Sequence, residues 1–266
     1  MTSPARFVDI HCHLLPGIDD GAADLPAALA MAKLAVADGI ETIVATPHQM
    51  GAYAHNEGGE IRRRTAEFQN VLHAAGVPLR VLPGADVRIE EGLAEGIING
   101  DVLTLADADR HVLLELPHQL YFPLDGLLNQ LARRRIVGVL SHPERNGGLL
   151  DRPEIVAQLV EAGCLMQITA GSLSGTFGPR CRQFAEWMLE RGMVHFVATD
   201  AHSPRRRRPI LSRAFQRVVD LVGQTGAVEL CCEVPRLVAM GRDVPIGFRT
   251  PRATALGRFF RRRKAG

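Results

Sequence analysis

Short apolar runs alternate with amphipathic stretches along most of the chain. Each run is about the length of a strand and nearly continuous in apolar and β-branched residues, which is typical of parallel strands buried on both faces. Runs of this kind predict strands at residues 7–10, 41–46, 79–85, 111–116, 136–141, 165–169 and 194–199. Their alternation with helical patterns favours an α/β fold of about seven βα units.

Helical patterns fill the intervals between these runs, and several are followed by a glycine that stops the helix. The first begins after Asp24, a suitable N-cap, and carries Pro26 in its first turn. Helices are predicted at about 25–38, 57–75, 124–134, 153–162, 180–191, 209–222, 225–232 and 234–240. No low-complexity linker interrupts the array, so residues 1–248 are predicted to form one domain, followed by a tail at 249–266.

The charge of the chain is concentrated at its C-terminal end. The net charge of the 266 residues is +2, but residues 249–266 carry seven Arg or Lys and no acid. Two interpretations of this tail stay open, an ordinary chain end or a segment weakly attracted to an anionic membrane surface or an acidic partner. Elsewhere no basic stripe is interleaved with aromatic residues, so nucleic-acid binding is not expected.

Five cysteines, Cys12, Cys164, Cys181, Cys231 and Cys232, form an odd set without a CxxC motif. The set favours a reduced, cytoplasmic protein. The N-terminus carries no signal-peptide pattern, and no apolar stretch approaches the ~20 residues that span a bilayer. None of the cysteines is followed six positions later by arginine, so the nucleophile loop of cysteine-dependent phosphatases is absent.

Side chains that bind metals follow six of the predicted strands. The carboxyl ends of the strands are where α/β barrels place their active sites. Positions two apart in an extended chain point to the same side, which suits both the HxH and the DxH pair. The candidate ligands are His11, His13, Asp20, His48, Asp86, Glu115, His142, Asp200 and His202.

This ligand set predicts a multinuclear site. Nitrogen and oxygen donors suit Mn, Fe or Zn, and nine of them exceed what one ion needs, so two or three ions are expected. Glu115 lies within an apolar run, where an unpaired carboxylate would cost several kcal/mol. Adjacent metal ions activate a bridging hydroxide and hold the oxygens of a phosphoester during in-line attack. Hydrolysis of a phosphomonoester, with attack of the bridging hydroxide on phosphorus, is therefore the leading hypothesis.

Arginines accompany these candidate ligands. Arg145 follows His142 by three residues and is suited to binding phosphate oxygens, although a structural ion pair would explain it equally simply. Residues 205–208 are all arginine and follow the DxH pair directly. They would attract a phosphorylated substrate at the mouth of the site, or form an ordinary solvated loop.

Several segments together resemble the PHP (polymerase and histidinol phosphatase) family. The resemblance is strongest to the manganese-dependent bacterial protein-tyrosine phosphatases encoded with capsule and exopolysaccharide genes. It covers about residues 7–240 and rests on DIHCHLLPGIDDG, TPH, PGADV, LLELP, SHPERN, QITAGSLSGTFG and VATDAHS. It implies a distorted (β/α)7 TIM-like barrel that holds three metal ions.

The resemblance also implies how the ligands divide. One ion would take His11, His13 and Asp200, a second would take Glu115 and His142, and both would share Asp86. A third would take Asp20, His48 and His202. Two arginines would bind phosphate, namely Arg145 and the arginine before Pro209, here Arg208, with Arg207 as the alternative because this loop is one residue longer. The family usually has glutamate where this chain has Asp86.

The implied substrate is phosphotyrosine on a polysaccharide-export tyrosine kinase. Two alternatives remain, a PHP phosphoesterase for a small substrate such as histidinol phosphate and a catalytically inert metal-binding scaffold. An amidohydrolase with a carboxylated lysine at a strand end is disfavoured, because the only lysines are Lys33, in a predicted helix, and Lys264, in the tail.

Overall fold

Nine short parallel strands form the centre of the computed structural model, which describes residues 6–249. They are paired in two sheets, in the orders β1-β2-β4 and β3-β5-β6-β7-β8-β9. The predicted α/β class with parallel strands is confirmed. The strands are β1 (Phe7–Cys12), β2 (Ile40–Ala45), β3 (His48–Gln49), β4 (Arg80–Pro83), β5 (Asp86–Arg88), β6 (His111–Glu115), β7 (Val137–Ser141), β8 (Leu165–Thr169) and β9 (Phe196–Ala198).

Two of the predicted strands are each followed, after a break, by a second short strand, which is why the structure has nine strands where seven were expected. Pro47 separates β2 from β3, and it has no N–H to contribute to a ladder. Pro83 and Gly84 mark the corresponding break between β4 and β5. The two sheets meet at these breaks, where the amide of Asp86 donates to the carbonyl of Pro47 at 3.1 Å.

The first and last strands meet at their carboxyl ends. A single parallel bridge joins Cys12 to Ala201, and the amide of His13 donates to the carbonyl of Ala201 at 2.9 Å. The buried carboxylate of Asp9 reinforces this junction by accepting the amide of Thr199 at 3.0 Å. A few specific bonds, rather than a regular ladder, thus hold β1 beside β9 in the described part of the chain.

Helices cover the outside of the strands. They are α1 (Leu25–Ala37), α2 (Gly58–Ala74), α3 (Leu93–Asn99), α4 (Asp125–Ala132), α5 (Gly147–Asp151), α6 (Glu154–Glu161), α7 (Ala170–Leu173), α8 (Pro179–Glu190), α9 (Ser212–Val228) and α10 (Val234–Ala239). Short 3-10 turns at Leu105–Asp107 and Pro143–Arg145 and a π-helical turn at Glu229–Glu233 complete the set.

The predicted helices differ from the observed ones in two respects. The helices expected at 209–222 and 225–232 are joined in α9, where Gly223 (φ 84°) breaks the helical geometry, and in the π turn that follows. The short helices α3, α5 and α7 were not predicted. In α3 the helical pattern is obscured by Gly96, which the packing requires because a Cβ there would lie 2.6 Å from Val102 Cγ2.

The apolar core has two parts. The larger part lies between the strands and the surrounding helices. The smaller part is formed by residues of several strands together with Val234 and Val238 of α10, and its strand residues include Val8, Ile10 and Phe196. Strands β1 and β9 thus carry both this inner core and, at or just beyond their carboxyl ends, candidate metal ligands.

The C-terminal end of the described chain is attached to the strands. The amide of Arg249 donates to the carbonyl of Gly192 at 2.7 Å, and the imidazole of His195 hydrogen-bonds to the carbonyl of Gly247 at 2.9 Å. The predicted basic tail and its membrane contact lie outside the described residues, except for Arg249. Among the described helices, none has the length and apolar character needed to cross a bilayer.

Truncation of Phe196 tests the inner core. Phe196 is fully buried, so Phe196→Ala should lower the free energy of unfolding by about 3–5 kcal/mol through lost apolar burial and the cavity left behind. The measurement is urea unfolding of the metal-saturated protein. Leu120→Ala, at a 64% exposed position, is the control and should change stability by less than about 0.5 kcal/mol. A similarly small effect at Phe196 would contradict the assigned inner core.

Candidate metal centre

The carboxyl end of β1 presents two imidazoles to one point. The register between β1 and β2 shifts between Asp9 and Cys12, which indicates an extra residue in β1, a β-bulge. Cys12 then packs into the larger part of the core, between the strands and the helices. His11 and His13 both point inward, with their Nε2 atoms 3.3 Å apart. The structure therefore places this pair as the HxH spacing predicts.

All nine predicted ligands lie in one continuous, largely buried cluster. In each of four overlapping groups, one potential ligand atom per residue lies within 4.8 Å of the others. The groups differ in detail from the division that the resemblance implies, because His13 joins the Asp20 group and His48 joins Asp86 and Glu115. The groups are His13, Asp20, His48 and His202; His11, His142 and Asp200; His11, His13 and Asp86; and His48, Asp86 and Glu115.

Asp86 lies at the centre of this cluster. Its side chain is fully buried, and neither carboxylate oxygen has a hydrogen-bond partner. Its Oδ2 lies 3.5 Å from His48 Nδ1 and 3.6 Å from His11 Nε2. Burial, followed by the charge of Glu115, raises the pKa of Asp86 well above its usual value. A buried carboxylate without partners is costly, and a metal cation in contact with it would remove that cost.

Two of the imidazoles are in the protonation state that a metal needs. Burial lowers the pKa of His11 to about 3 and that of His48 to about 4, so both rings are neutral at neutral pH. For His13 the outcome is the opposite, because the effect of burial is outweighed by the carboxylates of Asp19 and Asp200, which raise its pKa to about 10, so metal binding there must displace a proton. Neutral imidazole nitrogens and ionised carboxylates are the forms that bind metals. Together with the unpartnered oxygens of Asp86, this donor set fits two or three divalent ions.

Two of the candidate ligands have strained backbones. His142 (φ 34°) and Asp200 (φ 49°) both lie at positive φ, which residues other than glycine seldom adopt. The backbone around Asp200 is fixed by its amide, which donates to the carbonyl of His11 at 2.8 Å. Strain of this kind persists where the surrounding structure enforces it, and it is concentrated at functional sites.

Two polar residues that the sequence did not single out orient the β1 histidines. Asp19 Oδ2 lies 2.7 Å from His13 Nδ1 and also accepts the amide of His48 at 3.0 Å. Gln167 Oε1 lies 2.7 Å from His11 Nδ1. In both rings this leaves Nε2 directed at the cluster, as in many metal sites where a carboxylate or amide holds the other nitrogen. Asp19 is adjacent to the predicted ligand Asp20 in the segment IDDG, and this adjacency is the sequence feature that could have indicated its role.

Two arginines pair with Asp200, and one of them is not the residue first expected. Arg145 and Arg207 both pair with the carboxylate of Asp200. Their guanidinium carbons lie 4.3 and 5.8 Å from the centre of the Phe177 ring. Arg208 is exposed and makes neither contact, so of the two arginines considered, Arg207 is the one that pairs with Asp200. The backbone at Arg207 is held by its carbonyl, which accepts the amides of His202 and Ser203 at 2.9 and 3.0 Å.

Aromatic side chains line the rim of the cluster. The ring of Tyr53 stacks on His48 with a centroid distance of 5.3 Å. His118 lies 6.0 Å from His142, ring to ring. Among the described residues, His118 belongs to none of the four ligand groups.

Comparison with known proteins identifies the family. Residues 7–239 match the family model described as "Capsular polysaccharide synthesis, CpsB/CapC". The chain belongs to this family, as the sequence resemblance predicts.

Curated relatives support the assignment. The chain is 37% identical over 203 residues to the tyrosine-protein phosphatase YwqE of Bacillus subtilis, covering 76% of this chain and 79% of YwqE. It is 31% identical over 210 residues to the putative tyrosine-protein phosphatase CapC of Staphylococcus aureus, covering 79% of this chain and 82% of CapC.

Solved structures show the same fold. A crystal structure from work on YwqE of Bacillus subtilis and CpsB of Streptococcus pneumoniae, described there as unique metal-dependent tyrosine phosphatases, matches with a TM-score of 0.87 and 32% identity. The match covers 93% of this chain and all of that one. A histidinol phosphate phosphatase of Lactococcus lactis is similar in fold alone, at 14% identity and a TM-score of 0.52, over 84% of this chain and 94% of that one.

Substitution of Asp19 tests its role in orienting His13. Asp19→Asn keeps the shape of the side chain but removes its charge, and loss of such an orienting carboxylate typically weakens metal affinity by about 10–100-fold. Titration of the metal-free protein with Mn²⁺ by calorimetry measures this loss. Asp24→Asn, at the N-cap of α1, removes the same charge away from the cluster and should leave the affinity unchanged. Equal affinities for both variants would contradict the role assigned to Asp19.

Proposed function

We propose that the protein is a metal-dependent protein-tyrosine phosphatase. The observation that carries the proposal is the fully buried Asp86 carboxylate, which has no hydrogen-bond partner and is surrounded by imidazoles and other carboxylates. The names of the relatives support this activity over that of a small-molecule phosphoesterase. The likeness to histidinol phosphate phosphatase concerns the fold alone, and an inert scaffold is disfavoured by the relatives, which are named as phosphatases.

The nine side chains would hold two or three ions. Mn²⁺ is the metal we propose because the sequence resembles manganese-dependent phosphatases, and the same imidazole and carboxylate donors would also suit Fe or Zn. Bound there, such ions would supply Lewis acidity and an activated water for phosphoester hydrolysis. The ligand division proposed is the one implied by the resemblance, with Asp86 shared between two ions. Asp19 and Gln167 would keep the β1 histidines in position during turnover.

Arg145 and Arg207 would bind the phosphate of the substrate. Both guanidinium groups already pair with Asp200, so they lie beside the ligand cluster and offer planar, charged N–H donors. Their side chains are only 13% and 27% exposed, so they act in an environment where charge is screened less than in bulk water. There they would stabilise the negative charge that develops on the phosphate oxygens.

The proposed substrate is phosphotyrosine on a tyrosine kinase of polysaccharide export. The family description, capsular polysaccharide synthesis, supports this choice of partner. Tyrosine has an unperturbed pKa near ~10, so it leaves with less help from a general acid than an alkyl alcohol would need. A cytoplasmic location is also proposed, and it is supported by the five cysteines, all of which are free.

Removal of metal should abolish turnover. Protein treated with chelator is expected to lose hydrolysis of a phosphotyrosyl peptide and to regain it when Mn²⁺ is added. His142→Ala should remain inactive at all Mn²⁺ concentrations tested, whereas Cys12→Ser should retain most activity. Cys12 is buried, and burial raises its pKa well above the usual value, so it is a poor nucleophile. Inactivity of the metal-loaded wild type on every phosphoester tested would refute the proposed function.

Paired substitutions distinguish the two neighbouring arginines. Arg207→Gln should lower kcat/KM for a small aryl phosphate by about 10²-fold, the size of effect seen when one donor to a transition-state oxygen is lost. Arg208→Gln removes the same charge from the next residue and should change that value by less than about threefold, since exposed charges contribute little. Steady-state kinetics with matched metal content measures both. The reverse order of effects would restore the role first predicted for Arg208.

A further inference from the structure

A second pocket adjoins the metal centre. It is a cavity of about 140 Å³, and the residues that line it include Arg206, Arg207, Arg208, Arg213, Thr169 and Phe177. Two of these residues also belong to the metal centre, because Arg207 pairs with Asp200 and the Phe177 ring lies under both Arg145 and Arg207. The pocket and the metal centre therefore share a wall.

The charge of this pocket is uncompensated. No aspartate or glutamate is among its lining residues. Within residues 6–249, Arg206, Arg208 and Arg213 make no ion pair with a carboxylate, whereas Arg207 pairs with Asp200. Clustered positive charges raise the local concentration of anions, and arginine binds oxyanions with several N–H donors at once. The pocket is thus suited to a negatively charged group.

Buried polar atoms without partners lie in the same wall. Thr169 is only 1% exposed, and its Oγ1 has no hydrogen-bond partner in the described part of the molecule. The Nε of Arg207 is likewise buried and without a partner. The backbone of Thr169 is fixed by a hydrogen bond, in which its amide donates to Glu144 Oε1 at 2.9 Å. Buried polar groups are seldom left unsatisfied, so these two atoms add unused hydrogen-bonding capacity to the wall that the pocket shares with the metal centre.

We infer that this pocket binds a second oxyanion of the peptide substrate, beside the phosphotyrosine whose phosphate occupies the metal centre. The ligand is a phosphate group or a side-chain carboxylate near the phosphotyrosine in the peptide. The cavity holds the volume of roughly four to five water molecules, which suits one such group. The inference rests on the proposed function and adds to it a preference for peptides that carry a second negative charge.

Kinetics with a peptide series tests the inference. All peptides contain one phosphotyrosine. In one set the flanking residues are neutral. In two further sets, either glutamate or a phosphonate mimic of phosphotyrosine that resists hydrolysis is placed at successive positions on either side. The wild type should prefer the best-placed second anion by about tenfold in kcat/KM, mainly through KM, as expected for charge-assisted hydrogen bonds. Preference for the glutamate or for the phosphonate shows which anion the pocket accepts.

Matched variants separate the pocket from general electrostatic attraction. Arg206→Gln combined with Arg213→Gln should remove the preference while leaving turnover of a small aryl phosphate unchanged. Arg205→Gln combined with Arg134→Gln removes the same charge from exposed positions that do not line the pocket, and should keep the preference. All four arginines are exposed, and equal midpoints of urea unfolding would show that the fold is intact.

Several results would overturn the inference. One is the absence of any preference in the wild type. Another is a preference that survives substitution of Arg206 and Arg213. A third is an equal loss of kcat/KM in that double variant on neutral and on doubly charged peptides. Failure of the proposed function is a separate result, namely no turnover even of the aryl phosphate. In that event, calorimetric binding of a peptide with two phosphonate groups, compared between the wild type and the pocket variant, still tests the pocket. Equal affinities would refute it.

Discussion

The architecture of the site depends on one electrostatic constraint, the burial of several carboxylates beside each other. Asp86 and Asp200 are almost entirely excluded from solvent, and Glu115 is only 7% exposed. Arginines compensate Asp200, and Arg88 lies 3.8 Å from Glu115, but no arginine within the described range reaches Asp86. Burial and the neighbouring Glu115 raise the pKa of Asp86 well above its usual value, and a bound cation would favour the ionised form that binds metal. Because a cation that binds only the folded state stabilises it by mass action, metal binding and folding are linked.

The fold meets this constraint by distortions of regular structure at the carboxyl ends of the strands. The bulge in β1 turns His11 inward while Ile10 stays in the inner core. The positive φ of His142 and Asp200 turns two further ligands away from the paths of their strands. Local strain of about 1–3 kcal/mol per residue must be offset by the surrounding packing. The apolar core that shares these strands provides such packing.

The sequence was sufficient to predict the ligands because periodicity and strand ends carry that information. The HxH and DxH spacings and their place at strand ends marked these residues as ligands, but Asp200 lies at positive φ beyond β9, so its orientation does not follow from an extended chain. The residues that orient the histidines were harder to predict from the sequence. Gln167 lies within β8, and its partner His11 is 156 residues away along the chain. Arg208 was preferred to Arg207 on sequence alone because it directly precedes Pro209, and only the structure shows that Arg207 pairs with Asp200. The end of β2 before Pro47 could be read from the sequence, but the strand that resumes after Gly84 could not, since it depends on the close approach of Gly84 to Val44. The helix around Gly96 was missed because the glycine obscures its helical pattern.

The shorter side chain of Asp86 is accommodated by the backbone that carries it. Gly84 lies two residues earlier, at the break between β4 and β5, and a Cβ there would lie 2.7 Å from Val44 Cγ1. Glycine thus lets this segment approach β2 closely, and the amide of Asp86 is held by the carbonyl of Pro47. A carboxylate with one methylene fewer than the usual glutamate still comes within 3.6 Å of His11 and 3.5 Å of His48. These distances place Asp86 among the histidines of two ligand groups, so a bridging position for Asp86 is compatible with the remaining ligands.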